Sequence, residues 1–302
     1  MAVRRKRRVK IRKVNFAIFI LAIVLITALV TKTIKIIYTS LTKEKEPVVV
    51  EKEKKKSNPK QPSETNSFEE ISYYKETNKN RYIRYQENNP NLPLETIVTY
   101  VNIGLDNNYY TYTNKAKDLN KTTILVNKYN YLTRDYVPNN LESLPLSYAR
   151  SGMKLVSVAK DAYVKMAKAA EKEKMKLVAT SSYRDYEYQE TIYNRYVKSD
   201  GKEAADTYSG RPGFSEHQTG LAIDLYNGKK LYTEFESTKE FSWMQDNAYK
   251  YGFILRFPKD KENITGYEYE SWHYRYVGED IAKYIHDNDI TFEEYYVKFL
   301  DK

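Results

Sequence analysis

Residues 211–225 read R-P-G-F-S-E-H-Q-T-G-L-A-I-D-L, and residues 270–273 read E-S-W-H. The chain has only three histidines, and two of them, His217 and His273, sit in these stretches. Two imidazoles, the carboxylate of Asp224 and the spare carboxylate of Glu270 are the parts of a catalytic zinc site. Such a site has three protein ligands and a fourth position open to water. A chain carrying this set must fold so that widely separated positions meet, which restricts its architecture more than any compositional feature does. Cysteine is absent. That excludes a disulfide framework, a cysteine nucleophile and thiolate ligands. A metal must then be held by His, Asp and Glu, which suits a hard or borderline ion such as zinc.

The net charge of +10 is unevenly spread, with arginines and lysines crowding residues 1–13. Such a terminus can serve nucleic acid. Here it runs directly into residues 14–30, V-N-F-A-I-F-I-L-A-I-V-L-I-T-A-L-V, which favours a membrane and argues against a nucleic-acid partner. The apolar run extends to residue 37 and reads as one N-terminal transmembrane helix, an uncleaved signal anchor. The preceding positive charge keeps the N-terminus cytoplasmic and the remainder extracytoplasmic. Residues 38–67 are charged and proline-interrupted and read as a flexible stalk. Residues 68–118 read as a leader of unknown role, with an amphipathic helix up to Pro90 and a strand over residues 96–103. Residues 119–302 form the domain that carries the chemistry.

Within that domain T-T-I-L-V (122–126) reads as a strand. Residues 151–176 show helical spacing through Leu155, Ala159, Ala162, Tyr163, Met166 and Ala170. K-L-V-A-T (176–180) reads as a buried strand, residues 187–197 as a helix, 220–225 as a strand and 238–249 as a helix. Residues 253–257 follow as a strand, 267–277 as an extended aromatic segment, and 279–286 and 292–300 as closing helices. Strands and helices are interspersed without a regular alternating repeat, so the expected class is α+β with an antiparallel sheet. Glu270 and His273 are three apart and would point to opposite faces of a regular strand. Either the strand begins between them or the chain bends. Arg184, at the end of a strand, could bind a carboxylate or a developing oxyanion. His286, in a polar helix, reads as a surface or structural residue.

The segments S-S-Y-R-D-Y-E-Y-Q (181–189), G-F-S-E-H-Q-T-G-L-A-I-D-L (213–225) and E-S-W-H-Y-R-Y-V-G (270–278) together resemble the VanY-type D-alanyl-D-alanine carboxypeptidases. These belong to a wider group of zinc peptidases that includes lysostaphin-like enzymes, D-Ala-D-Ala dipeptidases and the hedgehog signalling domain. The resemblance spans residues 122–286. It implies a small antiparallel sheet flanked by helices and one zinc ion held by His217, Asp224 and His273. It makes Glu270 the catalytic glutamate, Arg184 the arginine that contacts substrate and the polarised carbonyl, and Ser215 and Gln189 residues of the substrate pocket. Ser271 stands where similar enzymes often carry proline. The implied reaction is removal of the terminal D-Ala from peptidoglycan stem pentapeptides by glutamate-assisted attack of water at the metal. Alternatives within the chemistry are an L,D-carboxypeptidase or a stem-peptide endopeptidase. The alternative from another class is a non-catalytic, zinc-stabilised wall-binding module, which would have no use for the spare carboxylate of Glu270.

Overall fold

The structure is a computed structural model, and it describes residues 67–301. The expected membrane anchor and nearly all of the expected stalk lie outside the described residues. Among those described, no helix is long and apolar enough to cross a membrane.

The domain is built on a four-stranded sheet of β1 (Val178–Ser181), β2 (Ala222–Tyr226), β3 (Phe253–Leu255) and β4 (His273–Tyr276). The strands are antiparallel in the order β1-β2-β4-β3. Side chains alternate across a strand, and here the alternation separates solubility from chemistry. Ile223 and Leu225 of β2 and Tyr274 and Tyr276 of β4 enter the main apolar core. Asp224, His273 and Arg275 occupy the intervening positions.

The core side of the sheet is covered by the helix Ser157–Lys172, whose buried residues are Ala159, Tyr163, Met166, Ala167 and Ala170. Their spacing forms one stripe at helical period. The alanines let the helix approach closely, while Tyr163 and Met166, fully buried, each contribute about 1.5–3 kcal/mol by leaving water. The Tyr163 hydroxyl donates to the Tyr148 carbonyl at 2.7 Å, so its polar end is satisfied. A second helix, Lys239–Asn247, adds Phe241, Trp243 and Met244 to the same core. The closing helices Glu279–Asn288 and Phe292–Phe299 form another cluster with Ile254 and Val277.

Two expected strands are not strands. Residues 96–103 lie within the helix Leu94–Ile103, which buries Ile97, Val98 and Val101 against Tyr82 of the helix Lys79–Asn88. The run of β-branched residues suggested a strand, but the buried positions follow a helical stripe and packing overrides propensity. Within T-T-I-L-V the two threonines lie half-buried in a turn, and Ile124, Leu125 and Val126 are buried but belong to no strand. The Arg275 side chain takes its carbonyls instead, donating to Thr122 O at 3.0 Å and Ile124 O at 2.6 Å. The extended aromatic segment is regular strand only over His273–Tyr276. The helix Lys202–Tyr208 had no counterpart in the sequence reading.

The leader residues from 68 onward belong to the same compact unit as the sheet. Arg81 grips Asp106, Lys75 meets Asp301 at 2.6 Å, and Lys298 meets Glu95 at 3.1 Å. Lys128 ties this region to the domain from inside. Its ammonium donates to the carbonyls of Asp206 and Gly266 and lies within 6 Å of the rings of Tyr109, Tyr110 and Tyr267.

Candidate metal centre and cleft

Asp224 and His273 are register partners across the β2–β4 ladder, so the sheet itself sets a carboxylate beside an imidazole. His217 comes from the short 3-10 turn Glu216–Thr219, immediately before β2. Ligand atoms of the three residues all lie within 4.8 Å of one another, and all three residues are buried. His217 Nε2 is 3.4 Å from Asp224 Oδ2, and His273 Nδ1 is 3.2 Å from Asp224 Oδ1. Asp224 Oδ1 nonetheless has no hydrogen-bond partner. The other nitrogen of His217, Nδ1, is 2.7 Å from the Ser182 carbonyl. That contact places the proton on Nδ1 and leaves the Nε2 lone pair facing Asp224. Two imidazole nitrogens and an unsatisfied buried carboxylate oxygen converging within 4.8 Å fit a zinc ion by donor type and number.

Glu270 lies just outside β4, in a turn where His273 N–H donates to Glu270 O at 3.2 Å. The strand therefore begins between the two residues, and both side chains reach the site. Glu270 Oε2 is 3.5 Å from His273 Nδ1. Ser271, in the same turn, accepts the Glu236 N–H on its hydroxyl at 3.2 Å.

Arg184 follows β1, and its N–H donates to the His217 carbonyl at 3.2 Å. Its side chain contacts Ser181 Oγ at 3.4 Å and keeps a buried, unpartnered Nε. Arg184, Ser215, Glu270 and the three candidate ligands line one cleft of about 580 Å³. Tyr232 and Trp272 stand in its wall, edge to face at 5.2 Å. Gln189 stands behind the wall. It is 1% exposed, and its Nε2 donates to the Gly210 carbonyl at 2.7 Å, so it shapes a segment that lines the cleft without lining it. His286 is exposed and stacks on Tyr249 at 3.9 Å, far in role from these groups.

The electrostatics of the metal-free site follow from burial and close charges. Burial pushes the Glu270 carboxyl up to about 8, with the Asp224 charge adding to the effect against the pull of His273. Burial and the Arg184 charge hold His217 down to about 4. Burial also opposes charge on His273, yet Asp224, Glu216 and Glu270 outweigh it and raise that ring to about 9. Burial works against ionised Asp224 too, and the two histidines overcome it, keeping this carboxyl well below its ordinary range. The ionised carboxylate of Asp224 is thus held between the two rings.

The antiparallel sheet and the His217–Asp224–His273 set in its cleft fit the class of metal-dependent peptidases. The model of the family described as D-alanyl-D-alanine carboxypeptidase, VanY, matches residues 152–279. YodJ of Bacillus subtilis (strain 168) is 47% identical over 181 residues, covering 58% of this chain and 66% of that protein. The bifunctional D-Ala-D-Ala dipeptidase and carboxypeptidase VanXYC of Enterococcus gallinarum is 33% identical over 58% of this chain and 93% of that protein. The chain belongs to the VanY family of carboxypeptidases. Among solved structures, the LdcB LD-carboxypeptidase aligns with a TM-score of 0.54 at 46% identity, covering 58% of this chain and 85% of that one. A VanY D,D-pentapeptidase mutant from a VanB-type resistance cassette, solved with Zn(II), aligns with a TM-score of 0.51 at 33% identity, covering 58% and 98%. The alignments span between 35% and 66% of the first three curated relatives.

Proposed function

We propose that this chain is a zinc-dependent carboxypeptidase that removes the terminal D-alanine from peptidoglycan stem peptides, with residues 14–37 anchoring it in the cell membrane and its catalytic domain outside. The observation that carries this reading is the carboxylate of Glu270, 3.5 Å from His273 Nδ1 beside the His217–Asp224–His273 set at the floor of the cleft. A purely structural metal site needs no such group.

His217 Nε2, Asp224 and His273 Nδ1 would hold one zinc ion. When bound, zinc supplies Lewis-acid polarisation of a carbonyl and acidification of a water. Glu270 accepts the proton of the attacking water on its carboxylate and returns it to the departing amine. Its burial raises its proton affinity above that of an exposed carboxylate, which favours accepting a proton. Arg184, with an unpartnered Nε, offers positive charge to the carbonyl oxygen as it becomes an oxyanion. Ser215, in the cleft wall, would bind the substrate's free carboxylate.

Two lengths of substrate fit this chemistry. The family model supports action on D-Ala-D-Ala ends. The likeness to LdcB, an LD-carboxypeptidase, at 46% identity supports action on the shorter tetrapeptide. Incubation with pentapeptide and tetrapeptide muropeptides, with and without a chelator, followed by mass spectrometry, tests both. Chelator-sensitive loss of one alanine from the pentapeptide assigns the D,D activity, and loss from the tetrapeptide alone assigns the L,D activity. Loss from neither refutes the carboxypeptidase.

A further inference from the structure

Glu216 immediately precedes His217, yet its side chain turns away from that residue's site and is almost fully buried. Its two oxygens have different surroundings. Oε1 accepts from Arg256 Nε at 2.9 Å and from Arg275 Nη1 at 2.8 Å. Oε2 has no hydrogen-bond partner. It lies 3.7 Å from Nε2 of His273, which is also buried and also unpartnered. Two unsatisfied polar atoms of complementary type thus face each other inside the protein, where buried polar atoms are otherwise paired. The opposite nitrogen of the same ring, Nδ1, is the one beside Asp224 and Glu270.

The carboxylate is also held rigidly. Arg256 spans from Glu216 to Glu293 of the last helix, reaching both Glu293 oxygens through its two terminal nitrogens. Arg275 is fixed to the carbonyls of Thr122 and Ile124 as well as to Glu216. All four charged side chains are within 2% of complete burial. Elements far apart in sequence therefore converge to fix one carboxylate oxygen against the back edge of one imidazole.

We propose that Glu216 is the positioning residue of the metal centre: its free Oε2, 3.7 Å from His273 Nε2, draws the ring proton to that nitrogen, which leaves the Nδ1 lone pair for the metal and orients the ring. This rests on reading His217, Asp224 and His273 as metal ligands. Carboxylates that orient a ligating histidine from behind commonly raise metal affinity 10–100-fold. In Glu216→Gln, the amide oxygen stays with the two arginines, which can only donate, and the amide nitrogen turns to His273. A donor then faces Nε2, the neutral ring moves its proton to Nδ1, and the metal loses a ligand atom.

The competing explanation is a buried ion cluster that serves stability alone. Glu293 separates the two, because Glu293→Gln removes one charge from the same cluster without touching His273. Zinc affinity of the full chain is measured by competition with a chromogenic chelator for wild type, Glu216→Gln and Glu293→Gln, with thermal unfolding of each metal-free form alongside. The expected result is a loss of zinc affinity of about 10–100-fold in Glu216→Gln, with Glu293→Gln close to wild type although both unfold earlier. Equal losses in the two variants, or none in Glu216→Gln, overturn the proposal. Nitrogen NMR of the ¹⁵N-histidine-labelled wild type provides a check that needs no variant, since only three histidines contribute. The zinc-loaded chain should show His273 metal-bound at Nδ1 and protonated at Nε2, and metal at Nε2 overturns the assignment. A wild type that binds no zinc overturns the metal reading together with this inference. Zinc binding without carboxypeptidase activity overturns only the proposed function.

Discussion

Gly213→Ala probes the loop that delivers Ser215 and His217 to the cleft. Gly213 has φ of +85°, and a Cβ built there would sit 2.6 Å from the carbonyl oxygen of Leu132. The Leu132 N–H donates back to the Gly213 carbonyl at 2.8 Å, and Leu132 is itself core, so this contact has little freedom to relax. The left-handed conformation costs a non-glycine residue about 1–2 kcal/mol, and overpacking against fixed atoms about 1–3 kcal/mol more. The expected loss is about 2–5 kcal/mol, or roughly 4–20 °C in Tm for a domain of this size. Gly220 supplies the internal reference. Its φ is +67°, but its nearest obstacle is the end of the Leu141 side chain at 2.9 Å, which can rotate away. Gly220→Ala should lose only the conformational part, about 1–2 kcal/mol. Urea unfolding of a soluble fragment of residues 63–302, followed by circular dichroism, compares the two variants. A Gly213→Ala loss no larger than that of Gly220→Ala would refute the argument that backbone contact decides the cost.

Glu270→Gln should lower turnover of the active stem peptide by about 10²–10⁴-fold while zinc binding, read by metal analysis after dialysis, persists; a variant with near-normal turnover removes Glu270 from its role. Burial brings the Lys128 amine down to about 8, below its ordinary 10.5. The unfolded chain therefore binds more protons between those values, and stability should rise as pH increases from about 8 to 10.5. Lys128→Met should flatten that rise in unfolding curves collected across the window, and an unchanged slope would assign it to other groups. Tyr82 is completely buried, and its hydroxyl donates to Asn102 at 2.7 Å. Tyr82→Ala should cost about 3–5 kcal/mol and open residues 68–103 to proteolysis before the sheet domain. Simultaneous cleavage everywhere would mean the leader is not a separable layer.

What the sequence disclosed and what it hid divide along physical lines. His217, Asp224, Glu270 and His273 were legible as candidates because histidine is scarce and their side chains have few other reasons to cluster. The arrangement of Glu270 and His273 was legible only as a choice between a bend and a strand start, because a turn closed by one backbone hydrogen bond leaves little compositional trace. T-T-I-L-V could not be told from a strand, since the arginine that satisfies its carbonyls lies some 150 residues away. T-I-V-T-Y-V-N-I carried β-branched residues into a helix, because the leader offered it an apolar stripe to pack against. Gln189 carries the right residue type for a pocket, but its amide nitrogen donates to the Gly210 carbonyl behind the cleft wall. The cluster around Glu216 was invisible for the same reason as the T-T-I-L-V partner. Arg256, Arg275 and Glu293 are ordinary charged residues in sequence, and only the fold shows that they share one dry interior.

The pairing of Asp224 with His273 across two neighbouring strands has a consequence for how this protein can fail. A slip of one residue between β2 and β4 would turn the slipped strand's faces over relative to its partner. With β4 in place, Ile223 would turn toward the cleft and Asp224 toward the apolar core, away from His273. The ladder that hides the oily residues is the same ladder that sets Asp224 beside His273. Metal affinity at this site would therefore report on strand alignment.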